Sequence, residues 1–184
     1  SGRELRIQVE LPDHEVSLRV WRVDVGRTPL YLLDADVAEN RPADRRRSHR
    51  LYSNDREERI QQELFIGIGG VRLLRALGVR PSVWHLNEGH VAFLTLERLR
   101  EVRASGRVPL GKALEQVASN TVFTTHTPVP EGNEEFEPDL AARYLERHAK
   151  AAGIPVGEYL DLGRHVSASG GKKLSMTVLA IRLS

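Results

Sequence analysis

The sequence predicts a doubly wound α/β fold, and two short stretches carry that expectation. Val83, Trp84, His85 and Leu86 run apolar into Asn87, Glu88, Gly89 and His90, and Val122 and Phe123 run into Thr124, Thr125, His126 and Thr127. An apolar run that ends abruptly in hydrogen-bonding residues is how a buried parallel strand delivers a site at its C-terminal end. The third observation is the order of patterns, strand, helix, strand, helices, strand, which is that of a parallel sheet with crossover helices.

Residues 4–33 read as strands. Leu5, Ile7, Val9 and Leu11 alternate with polar neighbours, as do Val16, Leu18 and Val20, then Val23 and Val25, beyond a turn at Pro12 and Asp13, which predicts an N-terminal antiparallel β-hairpin. Pro29, Leu30, Tyr31, Leu32 and Leu33 are continuously apolar up to Asp34, the signature of a strand buried on both faces. Residues 36–50 turn polar, and the Arg45, Arg46, Arg47 run reads either as an exposed connection or as an anion-binding patch. Ser53, Asn54 and Asp55 offer caps for a long helix whose Ile60, Leu64, Ile68, Val71 and Leu74 recur at helical spacing as far as Gly78. Gly67, Gly69 and Gly70 lie inside this helical pattern, so close packing explains them and a phosphate-binding loop does not.

Arg80 and Pro81 precede the strand ending at Leu86. Val91, Leu94, Leu96, Leu99 and Val102 then predict a helix, residues 110–118 another, and the second strand follows. Leu140, Tyr144, Leu145 and His148 mark a helix stopping at Gly153, and residues 156–162 a short one. The stretch from Ser167 through Ala168, Ser169, Gly170, Gly171 and Lys172 to Lys173 reads as a flexible loop. An apolar helix begins at Met176, and the chain end cuts it off without a stop signal. The expectation is one partial domain over residues 1–184, with 1–34 mainly strands and 51–184 α/β.

Composition limits the function classes. Among 184 residues, 40% are hydrophobic and 28% charged, an ordinary globular balance without an apolar run of membrane-spanning length. Lys plus Arg is 27 against 25 for Asp plus Glu, so no surplus of positive charge points to nucleic acid. Cysteine is absent, which removes disulfides and thiolate ligands, and residues 1–10 carry no secretory signal; cytoplasm is the expected location. Arginine dominates the basic residues, with lysine only at Lys112, Lys150, Lys172 and Lys173, a bias open to thermal adaptation or to GC-rich coding.

The two strand ends bring Asn87, Glu88, His90, His126 and Thr127 toward one crevice, a polar set suited to a hydroxyl-rich ligand such as a sugar. Competing readings remain at individual positions. His85, His90, His126 and Glu88 invite a zinc site, but strand alternation turns His85 into the core as a satisfied histidine, and His90 also reads as a cap for the following helix. Pro128 and Pro130 stiffen the exit beyond His126.

Several boxes occur together and in order: Leu51, Tyr52, Ser53, Asn54, Asp55; Arg59, Ile60, Gln61, Gln62, Glu63; Gly67, Ile68, Gly69, Gly70, Val71, Arg72; Asn87, Glu88, Gly89, His90; and residues 123–130. Together they resemble the α-glucan (glycogen and maltodextrin) phosphorylases, in the shorter bacterial and archaeal branch, over nearly the whole chain. The resemblance implies a Rossmann-like, partial N-terminal domain of a GT-B glycosyltransferase-type fold. It implies a cytoplasmic, allosteric transferase of carbohydrate metabolism that uses inorganic phosphate to cleave terminal α-1,4 glucosidic bonds, giving glucose 1-phosphate. By matching position, His126 is implied to meet the glucosyl unit near the reacting carbon with Thr127 beside it. Asn54 and Asp55 match a gating loop, and Glu88 and His90 match the opposite wall; Asn87, read from the strand end, joins them as an expected substrate contact. Animal members carry Asp and Thr where this chain has Glu88 and Gly89. The family's pyridoxal phosphate lysine matches none of the four lysines here, so no cofactor is expected on this chain; no metal is expected either, because the spacing from His85 to His90 fits no helical pair of ligands. Alone it is expected to be inactive and to self-associate through exposed apolar surface. The alternatives are a noncatalytic carbohydrate-binding module and a metal-dependent hydrolase.

Overall fold

A computed structural model describes residues 4–50, 53–104, 106, 108–127, 133–166 and 170–184. It is a mixed α/β structure of three small sheets and seven helices among those residues. Strands β1 (Arg6–Glu10), β2 (Glu15–Val25) and β3 (Thr28–Asp34) form an antiparallel meander in the order β1-β2-β3, so the expected third strand extends the hairpin. Val9, Val16 and Leu18 of its inner face are fully buried. The short helix α1 (Pro42–Arg45) interrupts the polar connection that follows.

Helix α2 (Arg56–Ala76) is the centre of the molecule. Its buried residues, among them Ile60, Gln61, Leu64, Phe65, Ile68 and Val71, run around most of its circumference, as expected of a helix packed on several sides. The Asp55 carboxylate accepts the backbone N–H groups of Glu57 and Glu58, both at 2.9 Å, and so caps its start. At the other end Gly78 takes φ +74°, its N–H bonds Arg75 O at 3.0 Å, and the Val79 N–H bonds Leu74 O at 2.8 Å. Only a residue tolerant of the left-handed region can make that double closure. Helix α5 (Pro138–Ala151) ends in the same way at Gly153, with φ +66°.

Strand β4 (Trp84–Asn87) is followed by a 3-10 turn at Gly89–Val91, α3 (Leu94–Arg103), α4 (Leu110–Ala118) and β5 (Thr121–Thr124). The two strands pair in parallel, Trp84 opposite Thr121 and Asn87 opposite Thr124. Further on come β6 (Glu135–Phe136), α6 (Val156–Leu162), β7 (Arg164–Val166), β8 (Lys172–Ser175) and α7 (Met176–Arg182), with the last three strands antiparallel in the order β6-β8-β7.

Three expectations are corrected. The parallel sheet among the described residues has two strands, and Trp84 and Leu86 are buried while His85 and Val122 are exposed, so it is covered on one face and not doubly wound. Strand β3 is not buried on both faces: among the described residues it is an edge strand paired only with β2, with Leu30 and Leu32 each 47% exposed, and an edge tolerates the missing N–H of Pro29. Lys172 and Lys173 belong to β8, not to a loop, because β8 is paired on both sides and inserts Leu174 against buried Phe136. Ser167, Ala168 and Ser169 lie outside the described residues, as do Leu51, Tyr52, Pro128, Val129 and Pro130. No described helix is long and apolar enough to cross a membrane.

The glycines of α2 do three different things. A Cβ on Gly67 would lie 2.9 Å from Leu94 N and 3.1 Å from the Phe93 carbonyl carbon, so Gly67 lets α2 touch the backbone at the start of α3. A Cβ on Gly69 would meet Leu18, Leu33 and Val9 of the meander at 3.2 to 3.3 Å, the close approach to the sheet expected of it. Gly70 faces open space.

Candidate functional site

Because β4 and β5 are parallel neighbours, their C-terminal ends emerge side by side. The Glu88 N–H continues the ladder by donating to Thr124 O at 2.8 Å, and there the chain turns with Glu88 at φ 72°, ψ 165°. The Glu88 carboxylate accepts the backbone N–H of His126 and, at 3.2 Å, the Thr125 hydroxyl; the Thr127 side chain also bonds it. One residue earlier, the Asn87 side-chain amide lies 2.9 Å from His126 Nε2 and holds the ring. Burial works against ionisation of Glu88, but the hydrogen bonds from His126, Thr125 and Thr127 outweigh it and hold its carboxyl below the ordinary range.

Gly89 has no room for a side chain, since a Cβ would sit 3.0 Å from Thr177 N and 3.1 Å from the Met176 carbonyl carbon. This contact draws the start of α7 against the β4 exit. A hollow of about 500 Å³ opens there, walled by Glu88, Gly89 and His90 from the β4 exit, Thr127 from the β5 exit, and Ser53, Asn54, Arg56 and Arg59 from the head of α2. Glu134 and Thr177 complete it. Four of the expected residues, Asn54, Glu88, His90 and Thr127, therefore share one wall system. Asn87 and His126 are hydrogen-bonded to that group but do not line the hollow, and Asp55 is occupied in capping α2.

His85 departs from its expected core position. It is exposed on the uncovered face of the sheet and bonds Thr124 Oγ1 at 2.7 Å. Nor does His90 cap a helix, because it sits inside the 3-10 turn, whose N-cap is Glu88. Burial first, and then the charge of Arg59, lower the His90 pKa, so it is a neutral imidazole at neutral pH.

The charged part of the wall was not anticipated. Arg59 Nε lies 2.8 Å from Glu134 and 3.1 Å from Glu63, and Arg56 pairs with Glu134 and covers the Phe136 ring at 4.8 Å. The signal was available for the arginines, which stand at the first turn of a capped helix; Glu134 follows a stretch whose path the sequence does not indicate. Glu63 is 1% exposed, with the Arg59 guanidinium at 3.1 Å as its charged neighbour. Burial raises its pKa well above the usual value, more than Arg59 lowers it. A carboxyl that binds its proton more tightly when folded loses stability as pH rises from the unfolded pKa through the folded one. Glu63→Gln is therefore expected to raise the urea midpoint relative to the parent at pH 8 and to make no difference near pH 4. A lowered midpoint at pH 8 that disappears near pH 4 would show instead that Glu63 is a needed anion.

A second hollow of about 600 Å³ lies between the meander and α2, with Trp21, Leu32, Phe65, Ile66 and Glu63 in its wall, and it shares Arg59 and His90 with the first. No lysine lines either hollow. Lys112 pairs with Glu115 at 2.8 Å and Lys173 with Glu137 at 3.3 Å. Among the described residues no three His, Asp or Glu side chains gather as a metal-ligand set.

No protein-family model matches the chain. Curated proteins do. A maltodextrin phosphorylase of Thermococcus litoralis is 45% identical over 184 residues, all of this chain and 21% of that protein. A glycogen phosphorylase of Mycobacterium tuberculosis is 39% identical over 196 aligned residues, again all of this chain and 22% of that protein. A glycogen phosphorylase of Aquifex aeolicus is 33% identical over 183, covering 26% of that protein. The chain thus spans about a fifth to a quarter of the length of these relatives. Over all of its 184 residues the chain is similar to one segment of each of these maltodextrin and glycogen phosphorylases.

Proposed function

We propose that this chain is part of the N-terminal domain of an α-glucan phosphorylase of GT-B type, and that residues 1–184 form one partial domain of it. In the whole polypeptide, inorganic phosphate would cleave the terminal α-1,4 bond of a glucan. A phosphate oxygen bonds to the anomeric carbon, the bond from that carbon to the glucan oxygen breaks, and the leaving oxygen takes a proton; the products are glucose 1-phosphate and a glucan one unit shorter. The observation that carries this reading is the junction of the two strand exits, where Asn87 and Glu88 hold His126 beside the hollow walled by Asn54, His90 and Thr127.

Positive charge develops at the anomeric carbon during bond cleavage. A fixed main-chain carbonyl at His126 stabilises that charge more in the transition state than in the ground state. No pair of carboxylates in nucleophile and acid roles is required, and Glu88, already engaged by the β5 exit, is not assigned one. Neutral His90 and Asn54 offer hydrogen bonds to sugar hydroxyls, and the Asp55 cap fixes the turn from which Asn54 projects. These residues do not fit pyridoxal phosphate, since neither hollow has a lysine to anchor it. On this reading the cofactor, like the opposite wall of the cleft, belongs to the rest of the polypeptide.

The test is phosphorolysis of a linear maltodextrin. The full-length polypeptide is expected to release glucose 1-phosphate in a phosphate-dependent manner, and the 184-residue chain alone to release none. Phosphate-independent release of free glucose would replace this reading with hydrolysis. Stoichiometric tight binding of maltodextrin by the isolated chain would replace it with a binding module.

A further inference from the structure

We propose that Glu88 is a positioning residue for His126, fixing the main chain of the β5 exit so that the His126 carbonyl is presented to the sugar, and is not itself a sugar contact. This deepens the phosphorylase reading and, for its kinetic part, rests on it.

The backbone is the first observation. Among the described residues Glu88 is the single non-glycine residue at positive φ, and its φ 72°, ψ 165° lies in a region that is nearly exclusive to glycine. Glycine would turn this corner without strain, and glycine is in fact the next residue. A large side chain kept at such a position is retained for what the side chain does.

The side chain is the second observation. One carboxylate oxygen accepts the His126 N–H, the other accepts the Thr125 hydroxyl at 3.2 Å, and the Thr127 side chain joins them. Three consecutive residues of the β5 exit are thereby tied to one carboxylate on the neighbouring strand. Both of its oxygens are turned toward that loop. The ring of His126 is held separately by Asn87 at 2.9 Å, so consecutive residues fix its main chain and its ring independently.

The chemistry of the grip follows. An ionised carboxylate holding a backbone N–H makes a charge-assisted bond, stronger than a neutral pair. The donors that hold Glu88 ionised are the groups it positions, so protonating it loosens the β5 exit. The charged groups around it, Arg59 and Glu134 across the hollow and neutral His90 beside it, do not replace those donors.

Two measurements decide it. In the 184-residue chain, the His126 amide resonance is expected downfield and to titrate with an acidic midpoint below that of an ordinary glutamate. Glu88→Gln should move it upfield and abolish the titration; an unchanged amide overturns the grip whatever the enzyme does. In the full-length polypeptide, Glu88→Gly removes the carboxylate while relieving the backbone. Its melting temperature is expected to be unchanged or higher, while kcat falls about 10- to 100-fold and KM changes by less than about threefold. A rise in KM at constant kcat would make Glu88 a sugar contact, and a lowered melting temperature with unchanged kcat would make it structural; either overturns the proposal. Absence of phosphorolysis in the parent full-length polypeptide would defeat the phosphorylase reading, and the amide titration would still decide whether Glu88 holds His126.

Discussion

Gly67→Ala is expected to destabilise the protein by about 2–3 kcal/mol, while Gly70→Ala, three positions along the same helix, stabilises it by about 1 kcal/mol. Both changes improve helix propensity by the same amount, because alanine restricts the unfolded backbone and costs nothing inside a helix. They differ in what the new methyl group meets. At Gly67 it would stand 2.9 Å from Leu94 N and 3.1 Å from the Phe93 carbonyl carbon, and a backbone cannot rotate aside as a side chain can. Helix α2 must then withdraw from α3, loosening Phe93, which is fully buried and stacked on Phe136 at 6.4 Å. At Gly70 nothing lies within 4 Å. Urea unfolding of the two variants checks this, and stabilisation by both would show that α2 and α3 do not touch where described.

Arg98→Leu is expected to cost about 2 kcal/mol, because it removes the donor to the buried Thr121 hydroxyl and the half-buried Asn120 side chain and leaves Val117 O with the Thr121 hydroxyl as its partner. The guanidinium of this buried residue donates to Val117 O at 3.1 Å, to the Thr121 hydroxyl and to the Asn120 side chain, and it covers the Trp84 ring at 5.1 Å. It therefore joins the end of α4, the start of β5 and the start of β4. Burial, and secondarily the charge of Arg75, lower its pKa to about 10 against the pull of Glu101, which still leaves it charged at neutral pH. Leucine restores apolar volume but satisfies none of the three acceptors. Hydrogen exchange should quicken first at Thr121 and Val122, and a loss below about 1 kcal/mol would show that water reaches this corner.

What was legible in the sequence follows from which signals are local. Helices α2 and α5 were readable because stop glycines impose a backbone geometry of their own, as Gly78 and Gly153 do. Both site-bearing strands were readable because each apolar run breaks into polar residues at its end, and Asn87 and Thr124 do terminate β4 and β5 side by side. Burial was less legible, because alternation shows that a strand has two faces and not which of them is covered. His85 and Leu32 were assigned to interiors on that ground, and both face outward. Strands β7 and β8 were missed because three or four residues, two of them lysines, carry no period; pairing partners distant in sequence make them strands. At the site, the residue types at 87, 88 and 126 were readable but their mutual bonding was not. Asp55 was weighed both as a cap and as a site residue, and the structure gives its carboxylate to the helix. The Arg59, Glu63, Glu134 cluster depends on a contact across 75 positions, which no local pattern announces.

The most direct measurement is a crystal structure of the full-length polypeptide with a maltooligosaccharide bound. The terminal glucose ring is expected between the β4 and β5 exits, with the His126 carbonyl facing its anomeric carbon and His90 and Asn54 on its hydroxyls. A sugar seated elsewhere, with the exits of β4 and β5 bare, would contradict the account.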